Sequence, residues 1–241
     1  MKTALVIGVG SEDGVGGALC RRFAREGMHV VVAGRTESKV SAVASAVEAA
    51  GGKASHVVGD ATSATGVTAF FDAAEAAGAV PDLVVYNAGN NQFSALVDMT
   101  DEFFEGVWRV CCFGGFLTGR EAARRMVPKG GGTLIFTGAT ASIRARPPFT
   151  AFASAKAGLR AVAHGMAREF GKEGLHVGHV VIDGVIDGEQ VNSKLPQIKE
   201  RLGDGGMLMP DDIAEAYWML HSQPRSAWTL ELDVRPHVET F

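Results

Sequence analysis

Residues 3–27 run Thr-Ala-Leu-Val-Ile-Gly-Val-Gly-Ser-Glu-Asp-Gly-Val-Gly-Gly-Ala-Leu-Cys-Arg-Arg-Phe-Ala-Arg-Glu-Gly. An apolar run ends in glycines, and an amphipathic helical pattern follows at once. Gly10, Gly14 and Gly16 fall as G-x-x-x-G-x-G, one residue longer than the common G-x-G-x-x-G turn. Glycine admits sharp turns and close backbone approach because it has no Cβ. A helix start presents unpaired N–H groups and the positive end of a dipole to an anion. Together they suit the pyrophosphate of a dinucleotide, with Ser11 and Val15 completing the turn. A lone glycine motif is weak; its place between a strand pattern and a helix pattern gives it weight.

Other residues with chemistry lie further along. The second apolar run ends Ala33-Gly34-Arg35-Thr36. A site preferring NAD usually has an acidic residue there for the ribose hydroxyls. Arg35 suits a 2′-phosphate instead, so NADP(H) is the preferred cofactor. Glu12 and Asp13 put negative charge in the glycine turn, which keeps NAD(H) possible. Arg144 and Arg146 could meet an anionic substrate, although solvated arginines are commoner. Cys20, Cys111 and Cys112 have no metal-ligand spacing and form no even disulfide set, so no metal site is expected.

These residues need a scaffold. Apolar runs at 3–9, 29–34, 54–58, 82–86, 133–137, 176–182 and 228–234 read as strands. Most lack alternation and look buried on both faces, as in a parallel sheet covered by helices. Helical patterns occupy 15–26, 37–50, 63–77, 101–127, 151–172 and 211–221. Gly27, Gly51, Gly78 and Gly174 sit where left-handed caps are wanted; Thr36, Thr62 and Thr100 are candidate N-caps. Repeated β-α units predict a single doubly wound α/β domain over 1–241, Rossmann-type. Residues 87–99, with Asn90, Asn91, Gln92 and Phe93, follow the fourth strand. Residues 184–209 follow the sixth and read as a substrate lid. Both lie past the carboxyl ends of strands, where open α/β sheets bind ligands.

The chain has 241 residues, 46% hydrophobic, with a formal net charge of −4, which argues against a general nucleic-acid binder. No stretch approaches the roughly 20 apolar residues of a membrane span. Met1-Lys2 leads straight into the first strand, leaving no room for a signal peptide. With the cysteine usage, this predicts a cytoplasmic protein.

Asp60-Ala61 ends the third strand and Asn87-Ala88-Gly89 the fourth. Phe152 and Lys156 lie four apart on a long helix, and Trp228 to Val234 forms a last strand. With the glycine turn, this order resembles the short-chain dehydrogenase/reductase family over nearly the whole chain. The resemblance implies a seven-stranded parallel sheet, with Asp60 near the adenine and Asn87 bracing the central strand. It implies Lys156 on the nicotinamide ribose, with Ala61, Ala88, Gly89, Asp183, Gly184 and Ile186 also lining the cofactor. It implies a homodimer or homotetramer built through the helices at 101–127 and 151–172. Small residues on the second (Ala153, Ala157, Gly158, Ala161) would allow close contact.

The chain departs from the family's pattern where catalysis would occur. Phe152 stands at the usual tyrosine and Ala139, thirteen residues earlier, at the usual serine. Cys111 stands at the usual asparagine, and Asp183-Gly184 replaces the usual Pro-Gly. Of the four usual catalytic residues Lys156 alone remains, as in an atypical branch with phenylalanine for tyrosine. Phe152 has no titratable proton and Ala139 no hydroxyl. A positioned general acid contributes roughly 10²–10⁴-fold. Candidate substitutes are a hydroxyl of Thr137, Thr140 or Ser142, Lys156 acting through water, or a buried carboxyl of Asp183 or Asp187. Against these, the hydroxyls could serve loop backbone, the lysine could serve only the ribose, the carboxyls could cap or face solvent, and Cys111 and Cys112 could simply pack. The expected function is an oxidoreductase acting on a small alcohol or carbonyl compound. The alternative is a non-catalytic dinucleotide-binding sensor or oligomer partner.

Overall fold

The computed structural model describes residues 1–89 and 91–239; Asn90 of the predicted cleft mouth lies outside the described residues. Seven strands form one parallel sheet: β1 (Thr3–Ile7), β2 (His29–Gly34), β3 (Lys53–Val58), β4 (Leu83–Tyr86), β5 (Gly132–Thr137), β6 (Leu175–Ile182) and β7 (Glu231–Val234). Their order is β3-β2-β1-β4-β5-β6-β7. The connections change direction at β1, so the crevice of a doubly wound sheet opens between the carboxyl ends of β1 and β4. The register lines those ends up: Ile7 pairs with Tyr86, Tyr86 with Phe136, and Phe136 with His179.

Strand composition follows burial. β1, β4 and β6 are buried along their length, because helices cover both faces. Edge strand β3 alternates exposed with half-buried or buried positions. One face packs on α1 (Val15–Arg25), α2 (Glu37–Ala49) and α9 (Pro210–His221), around Phe23, Val40, Tyr217 and Leu220. The other packs on α3 (Ala64–Ala76), α5 (Gly114–Met126) and α6 (Thr150–Phe170), around Phe70, Phe71, Tyr86, Phe136 and Leu159. No helix among the described residues is long and apolar enough to cross a membrane.

Several local expectations are corrected. Thr100 caps α4 (Asp101–Trp108) by accepting from Phe103 N–H, but Ser63, not Thr62, caps α3 by accepting from Gly66 N–H. Thr36 precedes α2 without a side-chain cap bond. Gly27, Gly51 and Gly174 take the left-handed conformation; Gly78 does not. The helix expected over 101–127 is interrupted by a π-turn at Arg109–Phe113. Its widened ring leaves the Val110 carbonyl to the buried Tyr86 hydroxyl, which donates to it. The last strand starts at Glu231; Trp228, before it, stacks on the His176 ring, with centroids 4.7 Å apart. The segment 184–209 holds two short helices, α7 (Glu189–Lys194) and α8 (Pro196–Leu202).

Candidate active site

The chain bends first at Gly8 and again within the G-x-x-x-G-x-G spacing, where Gly14 N–H donates to the Ser11 carbonyl at 3.1 Å. Gly8 has φ +89°, and a Cβ there would lie 2.3 Å from the Ala88 nitrogen. Close approach of β1 and β4 therefore requires glycine. Asn87 ties the same point, its Nδ2 donating to the Gly8 carbonyl at 3.2 Å. Thr137 donates to Asn87 Oδ1 at 3.1 Å, and its oxygen lies 2.8 Å from the Tyr217 hydroxyl. Gly16 packs tightly under this brace: its Cβ would lie 3.0 Å from Val9 Cα. Gly10 has open space instead, and Gly14 starts α1 with no side-chain cap. The first turn of α1 thus faces the crevice with N–H groups that no side chain claims.

Around this turn, Arg35 is exposed at the end of β2. Asp60 folds onto its own loop, accepting from Thr62 N–H at 2.9 Å and the Thr62 hydroxyl at 3.0 Å. Ala61 is buried beside it.

α6 carries Phe152 and Lys156 one turn apart on its buried face. The Lys156 Nζ donates to the Thr137 carbonyl at 2.7 Å and lies 5.7 Å from the centre of the Phe152 ring. A Cβ on Gly89 would come within 3.2 Å of Nζ, so glycine there leaves room for the ammonium. Burial pushes the Lys156 pKa down, opposed by nearby Cys111 and Cys112. Phe152 packs in an apolar cluster with Val107, Cys111, Cys112 and Ala151, and Ala139, Ala141 and Phe149 close over it. Neither Phe152 nor Ala139 brings a hydroxyl to this wall.

The neighbouring wall is polar. Ala139 N–H donates to Ser142 Oγ at 3.1 Å, and that oxygen lies 3.4 Å from His179 Nε2. His179 Nδ1 sits 3.0 Å from Glu231 Oε2, and Arg160 grips Glu231 at 2.6 and 2.7 Å. His164 adds a contact to Glu231 at 3.2 Å. Burial pushes the His179 pKa down to about 4. Arg160 foremost holds Glu231 at about 2. Thr140 donates to Asp183 Oδ1 at 2.6 Å, and Arg144 Nη2 reaches both carboxylate oxygens at 3.1 and 3.2 Å. So of the three candidate hydroxyls, Ser142 serves loop backbone, while Thr137 and Thr140 bond side chains. Asp183 is buried rather than solvated, and Arg144 is paired; Arg146 is exposed.

His179, Glu231 and Tyr217 escaped sequence reasoning. His179 interrupts an apolar strand, which is a signal of a polar partner, but nothing local names that partner.

The predicted lid folds back on the glycine turn. Gly188 lies near the Asp13 carbonyl, and Glu189 of α7 meets Lys39 of α2 at 3.6 Å. Asp187 accepts from Asn192 at 2.7 Å and Lys199 at 2.9 Å, Lys199 foremost lowering its pKa. Ile186 bridges to Leu208.

A parallel sheet with this strand order, a glycine-lined crevice at its switch point and a buried lysine one turn from an aromatic ring define a Rossmann-type oxidoreductase scaffold. The short chain dehydrogenase family model matches residues 2–198, and the chain belongs to that family. A short-chain dehydrogenase structure from Rhodopseudomonas palustris is 39% identical, with TM-score 0.82, covering 98% of this chain and 99% of that one. An uncharacterized oxidoreductase of Bacillus subtilis (strain 168), YuxG, is 33% identical over 219 residues, 90% of this chain. The chain spans 31% of that relative's length. A gluconate 5-dehydrogenase from Burkholderia cenocepacia, solved with NADP and tartrate, is 25% identical with TM-score 0.86, covering 98% and 94% of the two chains.

Proposed function

We propose that the chain is an NADP(H)-preferring oxidoreductase, with NAD(H) also accepted, that interconverts a small alcohol and its carbonyl compound. It belongs on this reading to a branch with Phe152 for the usual tyrosine and Ala139 for the usual serine. The observation that carries it is the buried Lys156 ammonium at the glycine-lined end of the crevice, held by the Thr137 carbonyl beside Gly89.

The residues present fit a dinucleotide. Open space over Gly10 and the uncapped start of α1 suit a pyrophosphate, and exposed Arg35 suits a 2′-phosphate. When bound, the dinucleotide supplies the hydride-carrying ring. Lys156 holds the ribose and keeps a proton at Nζ, which burial makes easier to release. One water in the place that a tyrosine hydroxyl would take, beyond the Phe152 ring, can relay that proton to the substrate oxygen. The Phe152 and Ala139 wall keeps bulk water from that face. The NADP named with the Burkholderia relative supports the cofactor choice. A cytoplasmic homodimer or homotetramer is part of this proposal.

Calorimetric titration with NADPH and NADH tests the cofactor, and turnover of wild type against Lys156→Met over a carbonyl panel tests the chemistry. Tighter NADPH and lysine-dependent turnover are expected. Absence of binding of either cofactor defeats the reading.

A further inference from the structure

Asp183 stands where the family usually has proline, and it is sunk to 2% exposure at the carboxyl end of β6. A buried carboxylate must be paired. Thr140 and Arg144 supply the pairing, and Arg235 lies 3.7 Å away. The same Arg235 nitrogen, Nη2, also pairs with Asp233 at 2.7 Å. Arg146, on the same loop as Arg144, is exposed. Two guanidinium groups, Arg144 and Arg235, thus face the Asp183 and Asp233 carboxylates.

Arg144 is more than a counter-ion. A single nitrogen, Nη2, reaches both Asp183 oxygens. Its Nε–H is buried with no acceptor among the described residues. A buried N–H without an acceptor is unfavourable, so this donor is one that Asp183 does not satisfy. The cluster also lies beside the reacting wall: Thr140 directly follows Ala139, which packs against Phe152.

We propose that Arg144 is the receptor for a carboxylate on the substrate, oriented by Asp183 and Thr140, so that the substrate is a small hydroxy or oxo acid. A planar guanidinium matches a carboxylate with two parallel N–H bonds. This rests on the oxidoreductase reading and names the substrate class of that same site.

The test is calorimetry on the full chain saturated with NADP⁺, comparing lactate with lactamide and tartrate with tartramide. In at least one pair the carboxylate binds roughly 10- to 100-fold tighter than the amide, as a charge-assisted bond implies. Arg144→Gln abolishes that preference and Arg146→Gln largely keeps it. Because Arg144→Gln leaves Asp183 poorly paired, Arg144→Gln with Asp183→Asn is measured too, and this neutral pair also loses the preference. Equal affinity for acid and amide in both pairs overturns the proposal. So does a preference that survives in the double variant, or inorganic phosphate binding tighter than either acid. Failure of NADP⁺ itself to bind defeats the oxidoreductase reading. Intact NADP⁺ binding without carboxylate preference defeats this inference alone.

Discussion

At the scale of single residues, the proposed reaction turns on what Phe152 and Ala139 lack. Neither can donate a proton, and two of the candidate hydroxyls are already engaged: Thr140 by Asp183, and Ser142 by Ala139 N–H and His179. Phe152→Tyr alone should therefore raise ketone reduction little, because Ala139 still offers no donor to the substrate oxygen. Phe152→Tyr with Ala139→Ser should exceed the product of the single effects, since cooperating catalytic groups are far from additive. NADPH oxidation by the four proteins measures this; a double variant no better than the product counts against the site assignment. A second expectation concerns Arg35. Arg35→Ala should weaken NADPH by roughly ten- to a hundredfold and leave NADH nearly unchanged, because it removes one charge-assisted phosphate contact. Comparable losses for both cofactors would place the 2′-phosphate elsewhere.

Elements hold these residues through a few obligatory contacts. Gly8 and Gly10 make the point by contrast. Gly8→Ala must push a Cβ into Ala88 at a left-handed φ of +89°, so it should destabilise the fold by about 2 kcal/mol or more. Gly10→Ala meets nothing within 4 Å, so it should unfold like wild type in urea yet bind NADPH poorly. If Gly10→Ala binds normally, the pyrophosphate does not sit over that turn. β6 and β7 are joined through His179 and Glu231. Below pH 6.5 the unfolded chain takes up a proton at His179 that the native chain refuses until about pH 4. His179 therefore lowers native stability as pH drops through that window, by about 3 kcal/mol at most, and His29, His176 and His221, also held below their ordinary pKa by burial, act in the same direction. Glu231 adds a loss between 4.5 and about 2, because its folded pKa is depressed. Urea midpoints measured from pH 7 to 4 should slope downward, and His179→Gln should flatten that slope. An unchanged slope would mean that another group governs acid unfolding.

For the whole molecule, the outer faces of α5 and α6 leave a groove of about 410 Å³ lined by Phe116, Ala123, Val162, Met166 and Phe170. Phe116 is 40% exposed there, with Arg120 over its ring. Apolar surface of this kind between two long helices suits a second copy of the chain. Light scattering at micromolar concentration should give a dimer or tetramer, and Phe116→Glu should shift it toward the monomer. A wild-type mass near 25.2 kDa would defeat the expectation.

Much of this was legible in the sequence, and the reason is locality. Apolar runs of strand length and helical spacing depend on neighbours a few residues away, so seven strand segments could be read directly, and their alternation with helices pointed to a doubly wound sheet; the strand order could not be read this way. The i, i+4 spacing of Phe152 and Lys156 put both on one helical face for the same reason. What the tertiary structure decided depends on residues far apart in the chain. Gly8 is obligatory because β4 brings Ala88 against it, 80 positions on. Asp183 is paired because Thr140 and Arg144 approach from the end of β5, and His179 finds Ser142 and Glu231 on separate elements. The π-turn at Arg109–Phe113 is accompanied by a bond from buried Tyr86, which the helical pattern of 101–127 cannot reveal. Periodicity encodes which face of an element is buried; it does not encode which polar partner awaits there.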